Sequence, residues 1–242
     1  MRKFLAILAA LLIASPAYAA GFGNWGAIVV AGDWHAHDGS PSEAFDNARR
    51  DVSAALARIG FNPGNIEEFS VRPDRYPNQH PAMSDPLIIG NALWDLSSRA
   101  NGGCLIYFSS HGSPDGVVVA DKTLAPDDLA TLVSNDCGDE PTVVIISACF
   151  SGVFVPALAA PNRFIMTAAR PDRSSFGCGS DNKYPYFDTC FLQSIAVTHD
   201  FPDLAAETKK CVATLEKKTG MSPPSQPQIS IGADVVAQLP SW

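Results

Sequence analysis

Thr142-Val143-Val144-Ile145-Ile146-Ser147-Ala148 is a continuous β-branched apolar run that ends on Cys149. A run that is apolar at every position, instead of at alternate ones, is the pattern of a strand buried on both faces. The same pattern occurs upstream in Cys104 to Ser109 (CLIYFS), which breaks into Ser110-His111-Gly112, and in Trp25 to Asp33 (WGAIVVAGD). Arg163 to Ala169 repeats it downstream, Ile66 to Val71 is a weaker version, and Pro227 to Ile231 is expected to be the last strand. Helical segments lie between these runs. Ser40-Pro41-Ser42-Glu43 reads as a capping box, followed by an apolar stripe of Phe45, Ala48, Val52, Leu56 and Ile59 and a stop at Gly60. Further helices are expected over Asp85 to Ala100, Pro126 to Ser134, Phe191 to Thr198 and Pro202 to Lys218, with Arg72 to Pro86 as a surface loop and Gly116 to Ala120 as a short extended excursion. Strands alternating with helices predict an α/β fold with a central, mainly parallel sheet covered on both faces.

Ligands of such sheets bind beyond the C-terminal ends of the strands. Three polar groups fall there: Asp33, the Ser110-His111-Gly112 turn, and Cys149-Phe150-Ser151-Gly152. A thiol carried on a buried strand is held rigidly at the edge where a substrate arrives, and an imidazole ending a neighbouring strand is placed to act as its base or general acid. Nucleophilic acyl transfer is the reaction class that this pair implies. Gly112 lets a backbone N–H approach a developing oxyanion, and the Cys149 N–H is the candidate second donor. Asp33 either assists His111 or caps its own turn. His35 and His37 with Asp33 and Asp38 have the spacing of a metal site, but no third ligand cluster is visible and none is expected. Arg170 and Arg173 are either cleft-lining or solvated.

The chain has 242 residues, 46% of them hydrophobic and 17% charged, a globular composition. Arg2 and Lys3, an apolar run from Phe4 to Ala14, and small residues at Ala17 and Ala19 read as a signal peptide, 1–19, too short to span a membrane. The remainder, 20–242, shows no repeat or linker and is expected to be one domain, periplasmic or extracellular after cleavage. Without Arg2 and Lys3 it carries 15 Lys and Arg against 25 Asp and Glu, a net charge of −10. That balance, without any basic cluster, argues against nucleic acid as a partner.

Export permits disulfides. Cys104 begins one central strand and Cys137 precedes the next, so in a parallel sheet both lie at the end opposite the polar groups, and they are expected to pair. Cys178, Cys190 and Cys211 leave room for one further bridge and one free thiol.

Tyr107-Phe108-Ser109-Ser110-His111-Gly112-Ser113 and Ile145-Ile146-Ser147-Ala148-Cys149-Phe150-Ser151-Gly152 resemble the His-Gly and Ala-Cys motifs of the legumain-like (asparaginyl endopeptidase) cysteine peptidases. The likeness extends to Val30-Ala31-Gly32, Thr167-Ala168-Ala169 and Arg173-Ser174-Ser175-Phe176-Gly177-Cys178. It implies a three-layer α/β/α caspase-like fold, a clan CD peptidase of bacterial exported type, and a Cys-His dyad working without cofactor or metal. By position, Cys149 is the nucleophile, His111 its imidazole partner and Gly112 part of the oxyanion hole, with Ser147, Ser174, Ser175 and Asp188 near the specificity pocket. Legumains carry an Arg after the first strand and a Glu two residues before the cysteine; here those places read Asp33-Trp34-His35-Ala36-His37 and Ser147, so a preference for asparagine is not implied. The expected activity is hydrolysis of peptide bonds in a peptide or protein substrate through a thioester. The alternatives are a transpeptidase or transamidase using the same pair, since the wider group includes the GPI-anchor transamidase subunit, and a catalytically silent peptide-binding module. About ten residues follow the last predicted strand, so no large C-terminal inhibitory domain is expected, and activation by a cut within Arg72 to Pro86 is the alternative.

Overall fold

The computed structural model describes residues 21–242; the expected signal peptide lies outside them. In chain order the elements are β1 (Trp25–Ala31), α1 (Ala44–Arg58), β2 (Ile66–Ser70), β3 (Ala82–Met83), α2 (Pro86–Arg99), β4 (Gly103–Ser109), β5 (Gly112–Ser113), β6 (Gly116–Val119), β7 (Lys122–Leu124), α3 (Pro126–Asp136), β8 (Thr142–Ser147), α4 (Phe154–Leu158), β9 (Arg163–Thr167), α5 (Tyr186–Ile195), α6 (Phe201–Thr219) and β10 (Gln228–Ile231). Seven strands form the central sheet in the order β10-β9-β8-β4-β1-β2-β3, and β5, β6 and β7 form a separate meander. Every pairing in the central sheet is parallel except that of β10 with β9.

Side-chain alternation divides the sheet into two cores. Ala27, Val29, Leu105, Tyr107, Val143 and Ile145 face α1, α5 and α6, where they meet Val52, Leu56, Phe191, Leu204 and Val212. Ile28, Val30, Ile106, Phe108, Val144 and Ile146 face α2, α3 and α4, where they meet Leu93, Leu129, Val133 and Leu158. The result is three layers, as the unbroken apolar runs require. Cys104 is bonded to Cys137 with a Cα–Cα distance of 6.0 Å, as expected, and the second bridge joins Cys190 on α5 to Cys211 on α6. Among the described residues Cys149 and Cys178 are the free thiols.

Three sequence expectations move. The expected capping box is not one: Pro41 is drawn into a bridge with His35, and the Glu43 carboxylate turns to Arg72, Arg75 and Tyr76. The helix therefore starts at Ala44, whose N–H is accepted by Ser42 Oγ at 3.2 Å. The expected loop Arg72 to Pro86 contains the edge strand β3, which pairs Ala82 with Phe69. The helix expected at Phe191 begins at Tyr186, and this places Asp188 in its first turn.

The Cys104–Cys137 bridge closes a sequence separation of 33 residues. Replacing both cysteines by alanine is expected to lower the unfolding free energy by about 2–4 kcal/mol, read as a fall in the urea midpoint.

Candidate active site

The parallel register of β4 and β8 ends with Ser109 opposite Ser147, and the Ser110 N–H donates to the Ser147 carbonyl at 3.0 Å. His111 and Cys149 follow two residues beyond these partners and line one cleft of about 470 Å³ with His37, Ser174, Ser175, Phe176, Cys178, Asn182, Tyr186 and Met221. Both strands are anchored in the core up to their last residue, so the imidazole and the thiol stand on rigid supports.

His111 Nε2 lies 2.9 Å from the carbonyl oxygen of His35. A carbonyl only accepts, so Nε2 carries the proton in the neutral ring and Nδ1 holds the free lone pair. Phe45 packs edge-to-face on the imidazole, with 5.1 Å between centroids. The His35 carbonyl is held in turn by Asp33, whose Oδ1 accepts from the His35 N–H at 3.0 Å and lies 2.8 Å from His35 Nδ1. The Arg72 guanidinium sits 4.7 Å from the centre of the adjacent Trp34 ring and donates to the Ser42 carbonyl. Asp33 thus shapes the turn that supports His111 and makes no hydrogen bond to the imidazole itself. Of the two expectations for Asp33, the turn is the one observed, because its carboxylate is taken up by its own backbone.

Cys149 Sγ accepts the Ser175 N–H at 3.3 Å and lies 3.6 Å from Ser175 Oγ. The next residue, Phe150, has φ +58°, a left-handed conformation unusual for a bulky side chain, and its N–H is tied to the Arg173 carbonyl at 2.8 Å. The strain redirects the chain immediately after the thiol. Gly112 lies against this bend: a Cβ there would meet the Cys149 carbonyl oxygen at 2.3 Å. Because Val118 N–H donates to the His111 carbonyl, Gly112 and Val117 form a non-hydrogen-bonded pair, and the Gly112 N–H points away from β6.

Ser174 and Ser175 line the cleft. Ser147 and Asp188 do not: they are 2% and 0% exposed, beneath the cleft floor. Asp188 accepts hydrogen bonds from Tyr107 (2.6 Å), Ser147 (2.6 Å) and Ser109 (3.1 Å) hydroxyls. Its carboxylate faces inward because Asp188 belongs to the first turn of α5, which packs on the sheet. The expectation of substrate contact by these two residues is therefore corrected. Burial pushes the Asp188 carboxyl up to about 6, against the pull of its three hydroxyl donors. Arg170 and Arg173 are ion-paired with Asp172 outside the cleft. His37, Cys178, Asn182, Tyr186 and Met221 were not expected as lining residues; of these, His37 stood out in sequence within its His-x-His spacing and Cys178 as the end of the Arg173 to Cys178 motif. His35 is engaged by Asp33 and His37 faces the cleft, and among the described residues no group of three or more His, Cys, Asp or Glu is placed to hold a metal ion.

A three-layer sheet carrying a thiol and an imidazole at adjacent parallel strand ends is the arrangement of the caspase-like cysteine peptidases. The solved structure of caspase-1 from Spodoptera frugiperda superposes with a TM-score of 0.63 at 16% identity, over 88% of this chain and 88% of that one. A family model described as Peptidase C13 matches residues 87–222, more than half of the chain, and the chain belongs to that family, the legumain family of cysteine-type endopeptidases. No curated protein matches it.

Two predictions follow from the site. Asp188 has a folded pKa of about 6 against 3.8 for an unperturbed carboxyl, so its contribution to stability is full below about pH 4 and is lost as the pH rises through 6. The loss amounts to about 3 kcal/mol by pH 8; urea unfolding of wild type and Asp188→Asn from pH 4 to 8 should therefore give curves that converge or cross, and parallel curves would contradict it. Gly112→Ala is expected to push the Cys149 carbonyl aside and slow thiol alkylation at Cys149 by tenfold or more, measured by intact mass.

Proposed function

We propose that Cys149 is the nucleophile and His111 the acid-base group of a peptide-bond hydrolase, with Gly112 contributing to the oxyanion hole. The observation that carries this reading is the pairing of β4 with β8, which brings the two side chains to one cleft. His111, with Nε2–H given to the His35 carbonyl, takes the Cys149 proton on Nδ1. The thiolate adds to the scissile carbonyl, and the oxyanion accepts from the Gly112 and Cys149 N–H groups. Collapse expels the amine, protonated by His111, and leaves a thioester; water deprotonated by the same nitrogen then releases the acid.

The cleft walls support a substrate class. Among the described residues they contain no Asp, Glu, Lys or Arg, and Phe176, Tyr186, Met221 and Cys178 make them largely apolar. Asp33 is held by its turn and Asp188 is sealed beneath the floor. A lysine or arginine side chain entering the cleft would lose water without gaining a counter-ion, so the side chain bound beside the scissile bond is not cationic. We also propose an exported chain cleaved after Ala19, a reading supported by two disulfides, which persist in oxidising compartments.

A peptidyl acyloxymethyl ketone library tests the assignment by intact mass. One adduct per chain, on Cys149, is expected; Cys149→Ala should form none and His111→Ala should react about 10²-fold or more slowly. Folded protein with a free Cys149 thiol that reacts with no member would refute the nucleophile. With fluorogenic peptides, Lys or Arg before the scissile bond is expected to lower kcat/KM about 100-fold relative to uncharged residues; equal rates would refute the substrate class.

A further inference from the structure

Six cysteines divide unevenly in this fold. Four are joined in the bridges Cys104–Cys137 and Cys190–Cys211, and the two left over, Cys149 and Cys178, line the same cleft. Neither is a fully buried core thiol. The chain between them returns to the nucleophile before it reaches Cys178, because the Ser175 N–H donates to Cys149 Sγ. Cys178 follows three residues later, within a reach of about 10 Å.

We propose that Cys149 and Cys178 form a reversible disulfide under oxidation, which closes the cleft by consuming its thiol. The segment from Ser174 to Gly179 is neither helix nor strand, its Phe176 carbonyl accepts from the Tyr186 N–H, and Gly177 adopts φ +91° against Tyr186, a turn that brings Cys178 back toward the cleft. The Cys178 thiol is pushed up by burial first and then by the Cys149 sulfur, while N–H groups of Cys178 and His37 act in the opposite direction. Cys149, which shares the cleft with the His111 imidazole, is the first of the two to react, and Cys178 resolves it.

With hydrogen peroxide as oxidant, the Cys149 thiolate attacks one peroxide oxygen. An S–O bond forms, the O–O bond breaks, and hydroxide leaves to take up the proton released from the thiol. Cys178 sulfur then attacks the sulfenic sulfur: the S–S bond forms, the S–O bond breaks, and the Cys178 proton leaves with the hydroxyl as water. Two thiols and one peroxide give one disulfide and two waters. Reduction by an external thiol reverses it.

Only the loss of activity rests on Cys149 as nucleophile; the bond itself does not. The mature chain is treated with hydrogen peroxide, alkylated with iodoacetamide and mapped without reduction, while kcat/KM is followed before and after reduced glutathione. Expected are a peptide linking Cys149 to Cys178, loss of both alkylation sites, at least a tenfold fall in kcat/KM, and recovery on reduction. Cys178→Ser, compared with its own untreated sample, should lose activity without recovery as Cys149 passes to the sulfinic acid. Sulfinic Cys149 with Cys178 still alkylated in the wild-type chain overturns the proposal. A linked peptide with undiminished activity supports the pair and overturns Cys149 as nucleophile instead.

Discussion

The parallel pairing of β4 with β8, ending at Ser109 opposite Ser147, is the constraint on which the site depends. A slip of one residue in that ladder would turn each of its side chains to the other face of the sheet and separate the two strand ends by a residue's rise. Burial on both faces prevents the slip, since Leu105, Tyr107, Val143 and Ile145 serve one core and Ile106, Phe108, Val144 and Ile146 the other. Asp188 adds a direct tie: one carboxylate accepts from Ser109 and Ser147, the last residues of the two strands, and from Tyr107 within β4. A buried carboxylate without a cation is costly, and its cost falls at the place where two strand ends must keep their spacing.

A second tier of support comes from the β1 side. The turn after β1 offers the His35 carbonyl to His111 and is held by Asp33 from within and by Arg72 from outside, through Trp34 and the Ser42 carbonyl. Arg72 follows the strand β2, so the far side of the sheet contributes to the orientation of the imidazole. On the thiol side, the left-handed Phe150 and the glycine at 112 allow two backbones to pass within contact distance. The close approach excludes a Cβ at Gly112, while the pairing of β5 with β6 is what turns its N–H away from the β6 ladder.

Much of the architecture was legible in the chain. The runs at Trp25, Cys104, Thr142 and Arg163 became adjacent strands of one sheet, and the two strand-end residues His111 and Cys149 came to one cleft. The Cys104–Cys137 bridge was readable because a parallel sheet places all strand starts at one end. Legibility failed where a local signal had a stronger distant partner. Glu43 had the position of a capping residue, yet two arginines and a tyrosine from the segment after β2 claim its carboxylate. Asp188 and Ser147 had positions near a specificity pocket, yet they bond to each other under its floor.

By itself the sequence determined the sheet class, the main strands and the two polar strand ends at His111 and Cys149, because burial on both faces and the polar break after a strand are properties of neighbouring residues. Tertiary structure alone decided which polar groups face the cleft, which cysteine stays unpaired beside Cys149, and which carboxylate is buried. Those outcomes depend on the paths of the segments 33–42 and 170–188, whose conformations are set by partners far away in sequence. Local composition carries no record of such partners, since a hydrogen bond or an ion pair depends on separation in space and not along the chain.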